Sequence, residues 1–189
     1  MTTASFPEFL WIWNRTQEME TPELHLRIAR WLDDAWRAGR KNLLLQAFRN
    51  AGKSTLVGLF GAWLLAHAPN LRLLVLAADL ALARKMVRNV KRIIERHPLT
   101  LGLRPDRMDQ WAAEQFTVNR PGELRDPSML ARGIAGNVTG SRADVVICDD
   151  VEVPKTSDSL PKREDLREKL KEIDYILVPG GTQLYIGTP

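Results

Sequence analysis

The chain has 189 residues, 44% hydrophobic and 26% charged, a mix that fits one globular domain and excludes a disordered or low-complexity chain. Its 12 glycines and 11 prolines follow no period, which excludes a collagen-like repeat. The formal charge is +4, the isoelectric point is near 9.5, and the cations crowd between Arg84 and Arg107, so a polyanionic partner is permitted but not required. The longest nearly apolar run, Leu56 to Ala66, falls short of the ~20 residues a membrane span needs. The FLWIW patch at Phe9–Trp13 lacks the basic leader of a signal peptide. The single cysteine, Cys148, has no partner for an internal disulfide. These features together predict a cytoplasmic protein without a membrane anchor.

In chain order, residues 1–40 read as a helical lead-in to a core over 41–189. Leu24, Ile28, Trp31, Leu32 and Ala35 recur at helical spacing behind Thr21-Pro22, which predicts a helix over 23–37. Asn42 to Ala47 is a short apolar run, followed by a polar loop and a helix from Lys53 to about His67. Leu71 to Ala77 reads as a strand buried on both faces, and Asp79 as the cap of a helix reaching about Glu95. From 98 to 127 the pattern dissolves into Pro, Gly and charge, with a weak strand at Gln115–Asn119. Met129–Gly136 and Ala143–Cys148 are further strands. A polar loop, a charged helix from Pro161 to Tyr175 and a last strand at Thr182–Ile186 close the chain. Strands alternating with helices predict an α/β domain, a parallel sheet covered by helices on both faces, with ligands at the carboxyl ends of its strands. The six tryptophans are expected in packing, Cys148 as a small buried hydrophobe, and His25, His67 and His97 lack metal-ligand spacing.

The loop after the first strand, Ala47-Phe48-Arg49-Asn50-Ala51-Gly52-Lys53-Ser54-Thr55, is close to the phosphate-loop pattern G-x-x-x-x-G-K-[ST]. In such a loop, successive backbone N–H groups and the helix N-terminus cradle phosphate oxygens. Lys53 would reach the β- and γ-phosphates and Ser54 would bind Mg²⁺. Ala47 replaces the first glycine, so flexibility rests on Gly52, with Asn50 as a second point tolerant of positive φ. Val145-Val146-Ile147-Cys148-Asp149-Asp150 supplies the second half, an apolar strand delivering carboxylates at its end. Asp149 would hold the magnesium shell through water, and Asp150 or Glu152 would orient an attacking water. Arginine suits the spreading charge of a transferring phosphoryl group. Arg49 lies within the loop, Arg142 is the preferred finger, and Arg132 stands behind it. Thr188, at the end of the last strand, is placed to sense the γ-phosphate.

LLQAFRNAGKST, GNVTGSRADVVICDDVEVP and LYIGTP together resemble the ATPase motor half of phage terminase large subunits, particularly the DNA maturase type of short-tailed phages. The likeness runs from about Leu24 to Pro189. It implies a RecA-like P-loop NTPase that uses ATP and Mg²⁺. It also implies a homo-oligomeric ring working with the portal, the procapsid and the small terminase subunit to drive double-stranded DNA inward, in the host cytoplasm. Carried over by position, Lys53 and Ser54 match the phosphate loop and Arg49 its upstream arginine. Asp149 matches the magnesium-binding acid, Asp150 the catalytic acid, Arg142 the arginine near that strand, and Gly187-Thr188 the coupling motif. His25 stands where the family's adenine-contacting glutamine is expected. Complete members continue into a nuclease domain. With the sequence ending at Pro189, an excised domain or truncated gene is expected, and no nuclease is assigned.

The helix from Asp79 aligns Arg84, Arg88, Lys91 and Arg92 on one face at i, i+4, i+7 and i+8, suited to tracking a DNA backbone, with Val87, Val90, Ile93 and Ile94 available to the core. Three other functions fit parts of the pattern. A helicase-like translocase needs a second RecA-like domain. A small-molecule kinase needs an acceptor pocket and a lid, for which 98–127 is the candidate. A nucleotide-binding assembly module would bind without turnover.

Overall fold

The computed structural model describes residues 3–106, 110–136 and 140–189. Strands β1 (Asn42–Gln46), β2 (Leu73–Ala77), β3 (Gln115–Phe116), β4 (Met129–Gly133), β5 (Ala143–Asp149) and β6 (Leu177–Gly187) form one sheet in the order β1-β6-β5-β2-β4-β3. All neighbours run parallel except the last pair, where β3 lies antiparallel to β4. The expected parallel sheet is present, with one antiparallel pair added at that edge, because the β3–β4 connection carries no helix to make the crossover a parallel pair requires.

The strands alternate strictly between two faces. Leu73, Val75, Ala77, Val145, Ile147, Leu184 and Ile186 point into the larger core with Met129 and Ala131, whereas Leu74, Leu76, Val146, Cys148 and Leu130 point into the smaller one. Period-2 burial on both sides is what near-continuous apolar runs produce in a doubly covered sheet. The larger core is closed by α1 (Phe6–Thr16), α2 (Glu23–Arg37), α3 (Lys53–His67) and α4 (Leu80–Arg96). The smaller core lies under α6 (Leu160–Lys171) and α7 (Ile173–Ile176), where Leu166, Ile173 and Ile176 are buried, with the short α5 (Pro154–Ser157) packed beside α6. At edge strand β1 only one face is covered, and Leu44 stays 60% exposed on the other. Helix α3 is buried almost all round, and a Cβ on its Gly58 would meet the Asn89 amide of α4, so the two helices approach closely there.

Two elements depart from expectation. Helix α1 lies within the expected helical lead-in. Its signal was present, since Ser5 and Glu8 form a reciprocal capping box and Phe6, Phe9, Leu10 and Trp13 bury one stripe. His97 stacks on Phe9 and its Nε2–H donates to the Phe9 carbonyl oxygen, 3.0 Å away, which fixes α1 on the end of α4. The single helix expected over 161–175 is two, α6 and α7. The last strand starts at Leu177 rather than Thr182, with an irregularity in its pairing between Ala143 and Val145. Trp11, expected in packing, is 53% exposed with the Arg15 guanidinium 5.8 Å from its ring centre. No helix among the described residues is long and apolar enough to cross a membrane.

Candidate active site

The sheet order itself builds the site. Strand β6 lies between β1 and β5, with Gln46 level with Gly187 and Asp149 level with Ile186. The carboxyl ends of the three strands therefore stand side by side, the outer two about 10 Å apart. The loop at 47–52, Thr188 and the Asp149-Asp150 pair meet at one edge of the sheet. They enclose a cavity of about 400 Å³ lined by Arg49, Asn50, Ala51, Gly52, Lys53, Ser54, Thr55, Asp150, Glu152 and Thr188. Asp149 lies against the back of the same helix start, in a smaller hollow shared with Ser54, Thr55, Lys85 and Asn89. Lys85 and Asn89 went unremarked as site residues in the sequence, since no local motif marks them and only the packing of α4 on α3 brings them there.

The loop adopts the conformation its chemistry needs. Asn50 and Gly52 both take positive φ, at +67° and +75°, and Gly52 ends the loop at the N-terminus of α3. No side chain caps that terminus and no acid sits in its first turn, so the helix start presents N–H groups and the positive end of its dipole to the cavity. The Lys53 ammonium is buried and donates to Ala47 O (2.7 Å), Phe48 O (3.2 Å) and Thr188 Oγ1 (3.0 Å), which ties the loop to the end of β6.

Asp149 is the electrostatic focus. Burial and the neighbouring Asp150 push its carboxyl up to about 6, against a hydrogen bond from Ser54 and the charge of Lys53. Its Oδ1 is buried without a hydrogen-bond partner. A buried, partnerless carboxylate oxygen beside a hydroxyl is a donor set suited to a hard divalent cation, so Ser54 and Asp149 fit Mg²⁺. Asp150 is exposed, takes φ +46°, and donates its N–H to Ile186 O at 3.1 Å, and Glu152 is likewise exposed at the cavity wall. Cys148, one residue earlier, is fully buried and its thiol is pushed up to about 12 by that burial.

Other expected residues fall elsewhere. Arg142 precedes β5 and so stands at the amino edge of the sheet, about 23 Å of strand away from Asp149, where it donates to Tyr175 O at 3.1 Å. Arg142, the preferred finger, therefore stands away from the crevice of its own chain, because in a parallel sheet the residue before a strand and the residue after it lie on opposite edges. Arg132 lies on the carboxyl side, at the end of β4. His25 does not line the cavity. Its Nε2 is 3.0 Å from Ala51 O and a Cβ on Gly52 would meet it, so it braces the loop from behind. On α4, Arg84 pairs with Glu114, and Lys91 donates to Trp111 O and Ala112 O and lies over the Trp111 ring, while Arg88 and Arg92 stay exposed. Val87, Val90, Ile93 and Ile94 are fully buried.

Fold and crevice together define a P-loop domain of the RecA-like class. No family model matches the chain. The large terminase subunit of Enterobacteria phage T3 is 36% identical over 151 residues, covering 79% of this chain and 26% of that protein. The solved large terminase of bacteriophage HK97 superposes with a TM-score of 0.57 at 13% identity, over 89% of this chain and 33% of that one. The large terminase ATPase domain of Thermus phage P74-26 gives 0.45 at 20% identity, over 93% and 68%. The chain belongs to the phage terminase large-subunit family and spans about a quarter of the length of its T3 relative.

Proposed function

We propose that this domain is the ATPase motor of a DNA-packaging terminase, hydrolysing ATP to drive double-stranded DNA into a capsid. The observation that carries the reading is the shared cavity. It joins a phosphate loop with open helix N–H groups to two exposed carboxylates and, behind Ser54, to a buried carboxylate with an unmatched oxygen. Arg49, Asn50, Ala51, Gly52 and Thr55 cradle the phosphates, Lys53 neutralises them, and Thr188, already bonded to Lys53, relays their state to β6. Ser54 and Asp149 would hold Mg²⁺, which supplies charge neutralisation at the phosphate oxygens when bound. Asp150 and Glu152 are the two groups able to orient a water at the terminal phosphate.

Arg142 acts, in this reading, on the site of a neighbouring copy in a homo-oligomeric ring, because its own strand holds it at the far edge of the sheet. DNA, portal, procapsid and small terminase subunit are the partners that reading implies. Replacing Lys53 by Ala is expected to abolish nucleotide turnover by the assembled protein, and an unchanged rate removes the assignment.

A further inference from the structure

A second cavity, of about 470 Å³, opens on the same edge of the sheet, beyond β5 at the carboxyl ends of β2 and β4. Its floor is apolar, built by Leu80, Ile134 and Leu166. Its rim carries four cations, Arg132, Lys155, Lys162 and Lys169, against two carboxylates, Asp79 and Asp165. Both carboxylates already have work: Asp79 Oδ1 accepts the Leu82 N–H to cap α4, and Asp165 pairs with Lys169. Lys162 pairs with Asp158, whereas Arg132 and Lys155 make no ion pair among the described residues.

We propose that this cavity binds the sugar–phosphate backbone of double-stranded DNA. This rests on the motor reading and deepens it by naming where the polymer touches the domain. Charge complementarity favours phosphate at the rim, and the apolar floor suits the deoxyribose between phosphates, which a small inorganic anion would leave unused. The competing surface on α4 is weakened for this role, because Arg84 and Lys91 hold the segment around Glu114 and Trp111. The wall between the two cavities is thin. Glu152, Val153 and Pro154 line the nucleotide crevice, while the next residues, Lys155 and Thr156, line the cationic cavity. Thr156 Oγ1 is within hydrogen-bond distance of Val151 O and Val153 O and accepts from the Val153 N–H, so the start of α5 is tied to the residues that follow Asp150. Lys155 and Glu152, three residues apart, thus line the two neighbouring cavities.

The test is duplex binding by the full chain across a salt series, read by fluorescence anisotropy with a labelled 30-base-pair DNA, for wild type and for Lys155→Ala/Lys169→Ala. Both positions are at the surface, and retained binding of a fluorescent ATP analogue shows that fold and nucleotide site are intact. The expected result is at least a tenfold loss of duplex affinity and a log–log salt slope shallower by about 2, at about 0.9 per lost phosphate contact. Turnover without DNA is expected to hold while its response to DNA is lost. Unchanged duplex affinity and slope overturn the proposal, as does displacement of the duplex from the wild-type protein by inorganic phosphate at constant ionic strength, which would mark a small-anion site. If Lys53→Ala also leaves turnover intact, the motor reading fails independently of this one.

Discussion

Gly52 sits at φ +75° with His25 2.9 Å from the position of a would-be Cβ, so backbone conformation and space both demand glycine. A Gly52→Ala variant must accept about 1 to 2 kcal/mol of left-handed strain and displace His25. Binding of a fluorescent ATP analogue is expected to weaken about tenfold. Adding His25→Ala should recover only the part due to the contact. Asp149 makes a pH prediction of definite sign. A metal takes the ionised carboxylate, and this carboxyl is raised from 3.8 to about 6, so below that pH a proton must be displaced before the metal binds. Magnesium-dependent nucleotide affinity, measured by calorimetry at pH 7, 6 and 5, is expected to be level above about 6 and to fall about tenfold per unit below it. Asp149→Asn should remove the step together with the metal dependence. That the loop before Ser54 and the acid at Asp149 would lie at one end of the sheet was legible from the spacing of GKST and VVICDD. The positive φ of Asp150 and the bracing role of His25 were not, since both arise from contacts between distant segments.

Strand β5 does two different jobs at its two ends. Its carboxyl end delivers Asp149, and its amino end is clamped by Asp144, whose carboxylate accepts from Arg72 N (2.8 Å), Nε (2.9 Å) and Nη2 (3.2 Å). The pair is about four-fifths buried, so removing the carboxylate strands a guanidinium in poorly solvated surroundings. Asp144→Ala is expected to lower unfolding free energy by about 2 kcal/mol in urea titrations, with ATP-analogue affinity unchanged because the clamp lies across the sheet from the cavity. The TGSRAD block, which carried much of the family likeness, thus includes a structural acid next to Arg142. Helix α2 was readable from its apolar period, α3 from its long apolar run and α4 from its period together with its Asp79 cap. Helix α1 was legible through its capping box and its apolar stripe, and the break between α6 and α7, beside the buried Ile173 and Ile176, is one that no local pattern announces.

At the scale of the whole molecule, the parallel sheet puts the phosphate loop and Arg142 on opposite edges. A ring in which one copy's amino edge meets the next copy's crevice satisfies both. Mixing Lys53→Ala chains with Arg142→Ala chains should then restore turnover that neither variant has alone, since each supplies what the other lacks. A mixture as inactive as its components would show that Arg142 does not act across subunits. Local sequence determined the order of strands and helices, the phosphate-loop conformation and the carboxylates at the end of β5, because hydrophobic period, glycine and strand-end acids act over a few residues. Only the tertiary structure decided that β6 would insert between β1 and β5, that a cationic cavity would share a wall with the crevice, and which edge each arginine would occupy. Strand order is chosen by which apolar faces bury one another across the whole sheet, and no stretch of chain holds that information by itself.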